Sequence, residues 1–490
     1  MLLLFNSIEF LLLFPVVVVF YYLIKQKYRW TLLLAASIIF YMAWNPIYIF
    51  LIFLTIMTTY AAGRLIEAAS NKKHSKIVMI FNLLFNFGIL FVFKYFNFFS
   101  ESVHAIFANF GVNLVTPHSE LLLPMGISFY TFQSIGYTID VYRDEKCVEK
   151  HFGIYSLYIL FFPQLVAGPI ERSDSLIPQF KVKHYFNYDQ ATDGLRIMAI
   201  GFLKKIVIAD NIAVYVNSVY NNVDGSNGFA MILATLLFAI QIYCDFSGYS
   251  DIAVGCAKVM GFELMENFKS PYFSKSVPEF WRRWHISLSS WFKDYLYIPL
   301  GGNRVGKFRS YFNILVVFVL SGIWHGANIT FLVWGFLHSI YQMASKFTGG
   351  ARQKFKTAIR LNQKNVFYNA FQTLFTLILI CFAWIFFRSN TISDAFNIIG
   401  KIFSFDYGIS EIFDSMEVFA KSVGTILSSS VVLACMLFLF IIDILKQKHD
   451  LNSLIKKRPV LIRWAVYFIV VGVLFFFRFT GAQSFIYFQF

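Results

Sequence analysis

Long apolar runs, separated by short polar segments, recur along the whole chain. Each run is about the 20 residues that an α-helix needs to cross the hydrocarbon core of a bilayer, and none alternates apolar and polar residues as a barrel strand does. The pattern predicts an all-α polytopic integral membrane protein. The runs that predict single spans lie at 8–24, 30–44, 48–63, 77–97, 195–219, 229–257, 366–388, 425–445 and 461–479.

The polar segments predict how these spans are oriented. Cytoplasmic loops are enriched in Lys and Arg, so we place the basic segments inside and the segments poor in Lys and Arg outside. The basic segments, placed inside, are 25–29, 64–76, 269–309, 346–364 and 446–458. The segments placed outside are 45–47, 98–120, 220–228 and 389–424. Two regions, 121–168 and 311–345, must then begin and end inside. Each is either a hairpin of short helices or a re-entrant segment surrounded by protein or a water-filled cavity.

The same count places the C-terminal residues FIYFQF (485–490) outside the cell membrane. We predict one membrane domain over 1–490, divided into N-terminal helices, a core, C-terminal helices and an extracytoplasmic aromatic tail at 1–120, 121–345, 346–480 and 481–490. The sequence offers no soluble domain of ordinary size. Any separate catalytic domain must therefore belong to another polypeptide.

Composition supports this class and narrows the expected partners. Hydrophobic residues make up 58% of the 490 residues and charged residues 14%, against about 45–50% and 25% in soluble domains. The net charge of +15 comes from Lys and Arg between the apolar runs, which is typical of the positive-inside pattern and not of a nucleic-acid surface. The five cysteines show no metal-binding spacing. We expect no nucleic-acid partner, no metal and no bound cofactor.

His325 is the strongest candidate for catalysis, because it lies inside an apolar segment, SGIWHGANITF. Ionisable side chains at membrane depth are costly and usually functional. Gly322 and Gly326 let a backbone or ligand approach, and Asn328, three residues on, shares the helical face of His325. A neutral imidazole here is suited to act as general base on a hydroxyl; the alternative is a histidine that only hydrogen-bonds a neighbouring helix. His338 lies about 220° further around an ideal helix, which predicts core packing.

His285 lies in an aromatic and cationic segment, EFWRRWHISLSSWFKDYLYIPLGGNR. One interpretation is an amphipathic helix at the membrane surface with a belt of aromatic residues. The functional interpretation is that Arg282, Arg283 and Lys293 attract a phosphate-bearing donor from the cytosol. A coenzyme A thioester would fit this description.

Asp245 lies at the inner end of a long apolar span, in QIYCDFSGYSD. A carboxylate at membrane depth either pairs with the arginines of the next segment as scaffold or orients a histidine for catalysis. The sequence contains no GxSxG, HExxH or Walker A motif in its required context. No covalent Ser or Cys nucleophile is therefore indicated.

Five stretches together resemble the membrane-bound O-acyltransferase superfamily, and specifically its bacterial alginate and peptidoglycan O-acetylation branch. They are PMGISFYTFQSIGYTIDVYR, QLVAGPIER, QIYCDFSGYSDIAVG, EFWRRWHISLSSWFKDYLYIPLGGNR and GIWHGANITFLVWGFLHS. The resemblance implies a ring of roughly 11 transmembrane helices, with re-entrant or short helices, around a central funnel. The deep histidine of the family falls on His325 and its second histidine on His285. Ile329 stands where a tryptophan is common and Ser339 where a glycine is common, and neither touches the expected reacting groups.

The resemblance also implies an activity in the bacterial inner membrane. Acetyl groups pass from cytosolic acetyl-CoA, a donor substrate, to hydroxyls of a cell-envelope polysaccharide, with His325 as general base and His285 orienting donor or acceptor. An extracytoplasmic acetyltransferase of the SGNH, Ser-His-Asp type is the expected partner. The alternatives are D-alanyl transfer to teichoic acid, and a proton-coupled transporter that uses Asp245 and His325.

Tyr487, in the FIYFQF tail, is a candidate acyl acceptor. A phenol has an ordinary pKa near 10, so it gives up its proton and leaves an ester more easily than a serine hydroxyl does. Relatives in the teichoic-acid system use a tyrosine in a similar aromatic motif on a small partner, which FIYFQF resembles. The alternative is an aromatic anchor at the membrane surface.

Overall fold

The computed structural model describes residues 5–112, 114–144, 148–358, 365–405, 407–449, 451–479, 481, 483, 485 and 486. Within these ranges all regular secondary structure is helical and no β-strand is present, which confirms the all-α prediction for this part of the chain. The α-helices are α1 (Ile8–Leu23), α2 (Gln26–Met42), α3 (Ile49–Glu67), α4 (Lys72–Leu90), α5 (Phe96–Asn109), α6 (Ile127–Arg143), α7 (Phe152–Leu160), α8 (Phe162–Leu165), α9 (Ser173–Lys181), α10 (Tyr188–Phe202), α11 (Asp210–Tyr220), α12 (Gly228–Val259), α13 (Val277–Arg283), α14 (Ile286–Phe292), α15 (Lys307–His325), α16 (Ile329–Phe347), α17 (Gly349–Ala358), α18 (Val366–Arg388), α19 (Ile392–Phe403), α20 (Ile409–Ser422), α21 (Ile426–Lys446), α22 (Leu451–Lys456) and α23 (Val460–Phe476).

Six helices in the described ranges are long and apolar enough to cross a membrane. They are Pro46–Glu67, Lys72–Asn109, Gly228–Val259, Lys307–His325, Val366–Arg388 and Leu427–Lys446, and two shorter apolar helices are Ile8–Leu23 and Val460–Phe476. Large apolar side chains such as Phe81 and Phe367 face outward on these helices, as expected of surfaces that contact lipid. Each run predicted to form a single span lies largely in helix, but 30–44 and 195–219 are not among the apolar helices given above. The helices support a polytopic membrane protein, and the exact number of spans stays a prediction.

Of the three π-helical turns in the described residues, Lys293–Tyr297 extends α14, and the other two each join a pair of α-helices. One turn, Phe91–Tyr95, joins α4 to α5, so the helix continues to Asn109, into the segment predicted to lie outside. The other, Leu203–Ala209, joins α10 to α11 and carries two buried lysines, Lys204 and Lys205. π-Helical turns often occur at functional sites. The second turn is therefore relevant to the site described below.

The region 311–345 forms a helical hairpin. Helices α15 and α16 have 19 residues each, longer than the short helices expected, and only residues 326–328 join them. The two helices approach closely at glycines: a β-carbon on Gly322 would meet the Phe331 carbonyl, and one on Gly335 would meet the Phe318 carbonyl. In the region 121–168, α6 has 17 residues, whereas α7 and α8 are short, with 9 and 4 residues. Helical segments are thus found in both regions.

The contacts divide the chain into two compact units. One comprises Met1–Met198 and Ser250–Met265, and the other Ala199–Tyr249 and Glu266–Phe490. In the first unit, buried hydroxyls link helices, as between Tyr155 and Thr59 (2.6 Å). The second unit has an aromatic core that includes Trp284, Trp334 and Trp384, all almost fully buried. These boundaries differ from the predicted subdivisions, and the single membrane domain stays a prediction.

Candidate functional site

His325 is the last residue of α15, where the helix ends against Gly326. Its side chain is almost fully buried, with 3% of the residue exposed. Three aromatic rings surround the imidazole: the ring centroids of Trp324 and Trp334 lie 5.0 Å away and that of Phe387 lies 5.2 Å away. The imidazole is thus fixed within the aromatic core of the second unit.

His285 lies at a break between two short helices, α13 and α14. The segment is therefore not one amphipathic helix at a membrane surface, because His285 adopts a left-handed backbone conformation (φ 43°, ψ 56°) and its side chain is fully buried. Burial lowers the pKa of His285 to about 3. The imidazole is consequently neutral near pH 7.

The two candidate histidines contact the same side chain, Trp324. The ring centroid of Trp324 lies 5.9 Å from that of His285 and 5.0 Å from that of His325. The residues are 40 positions apart in the sequence (325 minus 285), so this proximity results from tertiary packing. A single indole therefore joins both imidazoles into one site.

A cavity of about 550 Å³ opens beside this site, and we call it the cationic cavity. Arg282 and Lys293, both predicted to bind a donor, line it together with Lys346. Arg283 does not line the cavity and instead forms an ion pair with Glu279 (2.6 Å). Of the two adjacent arginines, Arg282 therefore lines the cavity and Arg283 does not.

The walls of the cationic cavity reach close to His325. Ser321, one helical turn before His325, lines the cavity, as do Trp281 and Phe318. The Trp281 ring lies 5.7 Å from the Trp334 ring, which contacts His325. A ligand in this cavity would therefore be near the buried imidazole.

Lys346 was not among the predicted site residues. Its ammonium group donates to Asn303 Oδ1 (3.0 Å) and to Ser310 Oγ (2.7 Å). The sequence contains two weak signals, because Asn303 lies in the GGNR stretch and Lys346 begins a basic segment. Neither signal indicates that these residues lie together, since they come from different helices or loops.

Asp245 has a partner that neither predicted alternative included. Lys205 binds its carboxylate at 2.6 Å and also binds Asp210 at 2.8 Å. The carboxylate accepts the backbone N–H of Ile486 as well (2.7 Å). Asp245 therefore belongs to a buried ionic cluster with a lysine, and not with the arginines or the histidine that the sequence predicts.

Asn328 does not share a helical face with His325, so that prediction is wrong. The helix ends at His325, and Asn328 begins the next helix as its N-cap, accepting from the Thr330 N–H (3.0 Å). The angle assumed for His338 fails for the same reason. His338 is nevertheless a fully buried packing residue, and its Nδ1 accepts from Trp281 Nε1 (3.2 Å).

A second cavity of about 550 Å³ begins two residues after His325. Its lining is rich in side-chain amides and includes one arginine, so we call it the amide cavity. The residues that line it are Asn217, Asn221, Ala327, Asn328, Phe331, Phe387, Arg388, Ser389 and Asn390. The ring of Phe387 contacts both His325 (5.2 Å) and Phe331 (4.9 Å). The amide cavity is thus separated from His325 by phenylalanine rings.

Tyr487 lies outside the described residues. The two residues before it, Phe485 and Ile486, are each 1% exposed. The Phe485 ring packs against Tyr249 (5.0 Å) and Phe246 (6.0 Å), and Phe246 in turn contacts His285 (4.6 Å). These two residues are therefore buried in the protein near His285, unlike an anchor at a membrane surface.

The described residues contain no group of three or more His, Cys, Asp or Glu side chains that could hold a metal ion. The described residues of the site provide two buried imidazoles, with a cationic cavity on one side and an amide-rich cavity on another.

Comparison with known proteins places this site in a family. The profile described as the membrane-bound O-acyltransferase family matches residues 151–387, which include both histidines. The probable alginate O-acetylase AlgI of Pseudomonas putida is 39% identical over 412 residues, covering 83% of this chain and 82% of that protein. The peptidoglycan O-acetyltransferase of Helicobacter pylori is 34% identical over 81% of this chain and 79% of that protein.

A more distant relative matches a smaller part of the chain. The teichoic acid D-alanyltransferase of Bacillus subtilis is 29% identical over 49% of this chain and 63% of that protein. The acetyl-transferring relatives are thus more similar and match more of the chain. The chain belongs to the membrane-bound O-acyltransferase family and is an O-acyltransferase.

Proposed function

We propose that the protein transfers acetyl groups from cytosolic acetyl-CoA across the bacterial inner membrane to hydroxyls of a cell-envelope polysaccharide, of the alginate or peptidoglycan type. The observation that carries this proposal is the pair of buried histidines joined by Trp324 beside the cationic cavity. The relatives named for alginate and peptidoglycan acetylation supply the substrate class.

Acetyl-CoA binds in the cationic cavity. Arg282, Lys293 and Lys346 supply positive charge and N–H donors for its phosphates. Trp281 and Phe318 give the cavity apolar walls, which suit the less polar part of the donor. With the phosphates at the lysines and arginine, we place the thioester end toward Ser321, which also lines the cavity and lies one turn before His325.

His325 acts as the general base. It takes the proton from the accepting hydroxyl while that oxygen forms a bond to the acetyl carbonyl carbon. The carbon–sulfur bond then breaks, and the coenzyme A thiolate takes up the proton from the imidazolium. His285, neutral because of its burial, orients donor or acceptor by hydrogen bonding.

The first acceptor is the phenol of Tyr487 in the C-terminal tail, whose place on the outer side of the membrane is a prediction from the charge pattern. An extracytoplasmic SGNH-type partner enzyme then moves the acetyl group from the phenyl ester to a sugar hydroxyl of the polysaccharide, and the phenol of Tyr487 regains the proton that this hydroxyl loses. Burial of Phe485 and Ile486 beside Phe246 supports this role, because it brings the chain just before Tyr487 close to His285. In this proposal roughly 11 transmembrane helices surround a central funnel that contains the site.

Replacing His325 by Ala tests the general base. We expect a loss of acetyl transfer of at least 100-fold, since general base catalysis contributes about 10²–10⁴-fold. The measurement is transfer of radiolabelled acetyl from acetyl-CoA by equal amounts of monodisperse protein in membrane vesicles. His338→Gln is the control at another buried histidine, and it should retain transfer because the amide oxygen can still accept from Trp281. Transfer that persists in His325→Ala would show that another group is the base.

Replacing Tyr487 by Phe tests the carrier. The variant keeps an aromatic ring but lacks the oxygen that forms the ester, so we expect no acetyl group on the C-terminal peptide and no acetylated polymer. Mass spectrometry of that peptide and an assay of polymer acetate measure the two results. Undiminished polymer acetylation by Tyr487→Phe would rule out the carrier role while leaving the role of His325 intact.

D-Alanyl transfer remains the competing O-acyl chemistry because of the teichoic acid relative. That reaction would draw its acyl group from a carrier protein docked on the cytoplasmic face. Turnover of free acetyl-CoA by the purified protein distinguishes the two reactions. Turnover only with an acylated carrier protein would favour D-alanyl transfer.

A further inference from the structure

The amide cavity presents hydrogen-bond donors to a ligand, because the amide oxygens in its wall already accept hydrogen bonds from other groups of the protein. Arg388 donates to Asn217 Oδ1 (2.8 Å) and to Asn390 Oδ1 (3.4 Å). A guanidinium has only donors, so both amides must turn their oxygens toward it. Asn390 Nδ2 then donates to Asn221 Oδ1 (3.1 Å). The amide oxygens are thus engaged inside the cavity wall.

The side-chain amide groups of the cavity that these bonds leave available to a ligand are N–H groups. In the described part of the chain, the Nδ2 atoms of Asn217 and Asn221 have no hydrogen-bond acceptor, whereas both polar atoms of Asn328 are bonded, to Asn390 O and to the Thr330 N–H. A cavity that offers amide N–H groups and a guanidinium selects a ligand rich in acceptor oxygens.

The charge of Arg388 points to an anionic ligand. Arg388 is 7% exposed, and no ion pair links it to a carboxylate among the described residues. Its described neighbours are the two neutral amides and the ring of Tyr220, 5.3 Å from the guanidinium carbon. A buried charge is costly unless an opposite charge compensates it. A carboxylate in the cavity would form the bidentate pair for which a guanidinium is shaped.

The position of the amide cavity relates it to the site of acyl transfer. Ala327 and Asn328 line it two and three residues after His325, and Phe387 contacts the imidazole from the cavity wall. The charge pattern of the sequence predicts that 220–228 and 389–424 lie outside the membrane, and Asn221 and Asn390 belong to them. The cavity therefore lies on the side where the polymer is expected.

We propose that the amide cavity binds an acidic sugar unit, a uronic-acid residue of the polymer that receives the acetyl group. The carboxylate pairs with Arg388, and the ring hydroxyls accept hydrogen bonds from Asn217 and Asn221. This inference rests on the proposed function for the identity of the polymer. It assigns to this chain a recognition site for the acceptor polymer, separate from the cationic cavity for the donor.

Direct binding tests this site without any acetyl donor. The full-length protein in lipid nanodiscs is titrated with tetramannuronate, with the same sugar after reduction of its carboxyl groups, and with tetraglutamate, which has similar charge but no sugar ring. We expect tetramannuronate to bind at least tenfold more tightly than either of the others. Equal affinity for the reduced sugar would overturn the role of the carboxylate, and equal affinity for tetraglutamate would overturn the choice of a sugar.

Arg388→Gln should remove the preference for the acidic sugar, and Arg388→Lys should keep part of it because the charge remains without the planar fork. Arg29→Gln is the matched control, since Arg29 is also buried and lies over a tyrosine ring, Tyr21, at 4.6 Å. The control should bind as the wild type does. An unchanged preference in Arg388→Gln would contradict the site.

A second, milder variant tests the site even if Arg388→Gln does not fold. Asn221 is exposed, so Asn221→Ala should fold, and we expect it to bind tetramannuronate three- to tenfold more weakly. Unchanged affinity in this variant would also contradict the site. If the protein prefers tetramannuronate to the reduced sugar but transfers no acetyl groups, the result contradicts the proposed function alone. If it transfers acetyl groups but binds both sugars equally, the result contradicts this site alone.

Discussion

His285 occupies a backbone conformation that residues with a β-carbon rarely adopt. Its φ of 43° and ψ of 56° are left-handed, which costs about 1 kcal/mol or more outside glycine. The surrounding structure holds it there: the Ser289 N–H donates to the His285 carbonyl (2.9 Å), and Phe246 and Trp324 enclose the ring. The strain is consistent with a residue that is kept in place to direct its imidazole into the core.

The burial of His285 predicts a pH dependence of stability. Because its pKa falls from 6.5 to about 3 on folding, the unfolded chain binds a proton between these values that the folded protein does not. The free energy of unfolding therefore rises with pH in this window, by about 1.4 kcal/mol per pH unit from this residue. On going from pH 7 to pH 5, the wild type should lose more stability than His285→Gln, measured by thermal unfolding in detergent. Parallel pH curves for the two proteins would contradict this.

At the scale of helices, the α15–α16 hairpin determines where His325 lies. The two helices meet through Gly322 and Gly335, whose missing side chains allow each backbone to contact the other helix. This close approach brings Trp334 of α16 onto the imidazole at the end of α15 (5.0 Å). The geometry of the candidate site thus depends on two glycines that do not contact the reacting groups.

Gly335→Ala should destabilise the protein by about 1–3 kcal/mol, the usual effect of an added group in a tightly packed interior. The reason is that its β-carbon would meet the Phe318 carbonyl and the Val319 backbone. Gly472→Ala, in helix α23 where the added carbon has open space, is the control and should be neutral or stabilising by up to about 1 kcal/mol. Thermal unfolding in detergent compares them. Equal stability of Gly335→Ala and the wild type would show that the hairpin can relax.

At the scale of the whole chain, every described candidate residue lies in one compact unit. That unit combines residues 199–249 with 266–490, so it joins a central stretch of the sequence to the C-terminal segment. The cluster of Lys205, Asp210 and Asp245 is buried within it, and Asp245 also accepts the Ile486 N–H. The C-terminal segment is therefore held by a charged hydrogen bond, which is stronger than a neutral one.

Asp245→Ala should release the C-terminal segment. Among the described residues, removing the carboxylate leaves Lys205 paired with Asp210 alone and leaves the Ile486 N–H without its acceptor. Carboxypeptidase digestion followed by intact-mass spectrometry measures the result. Digestion of the wild type from the C-terminus should leave Ile486 in place, whereas digestion of the variant should remove Ile486 and residues before it. Asp193→Ala, which breaks the separate ion pair with Arg196 (2.8 Å), should behave as the wild type. Identical trimming in Asp245→Ala would show that apolar packing alone holds the segment.

The sequence by itself determined the properties that depend on local pattern. Apolar runs of sufficient length specify helices in a membrane, because a lipid-exposed backbone must satisfy its own hydrogen bonds. Motifs of contiguous residues likewise identified the family and singled out His325 and His285. These inferences hold because neighbours in the sequence carry the whole signal.

Only the tertiary structure decided which distant residues meet. Helix α15 ends at His325, so Asn328 is not on that helical face, and Asp245 has a lysine as partner. Lys346 and Arg282 line the same cavity. Trp324 joins two histidines that are far apart in the chain. Such contacts depend on how helices pack and where they break, and those outcomes reflect the fit of many side chains at once, which no local pattern of hydrophobic and polar residues encodes.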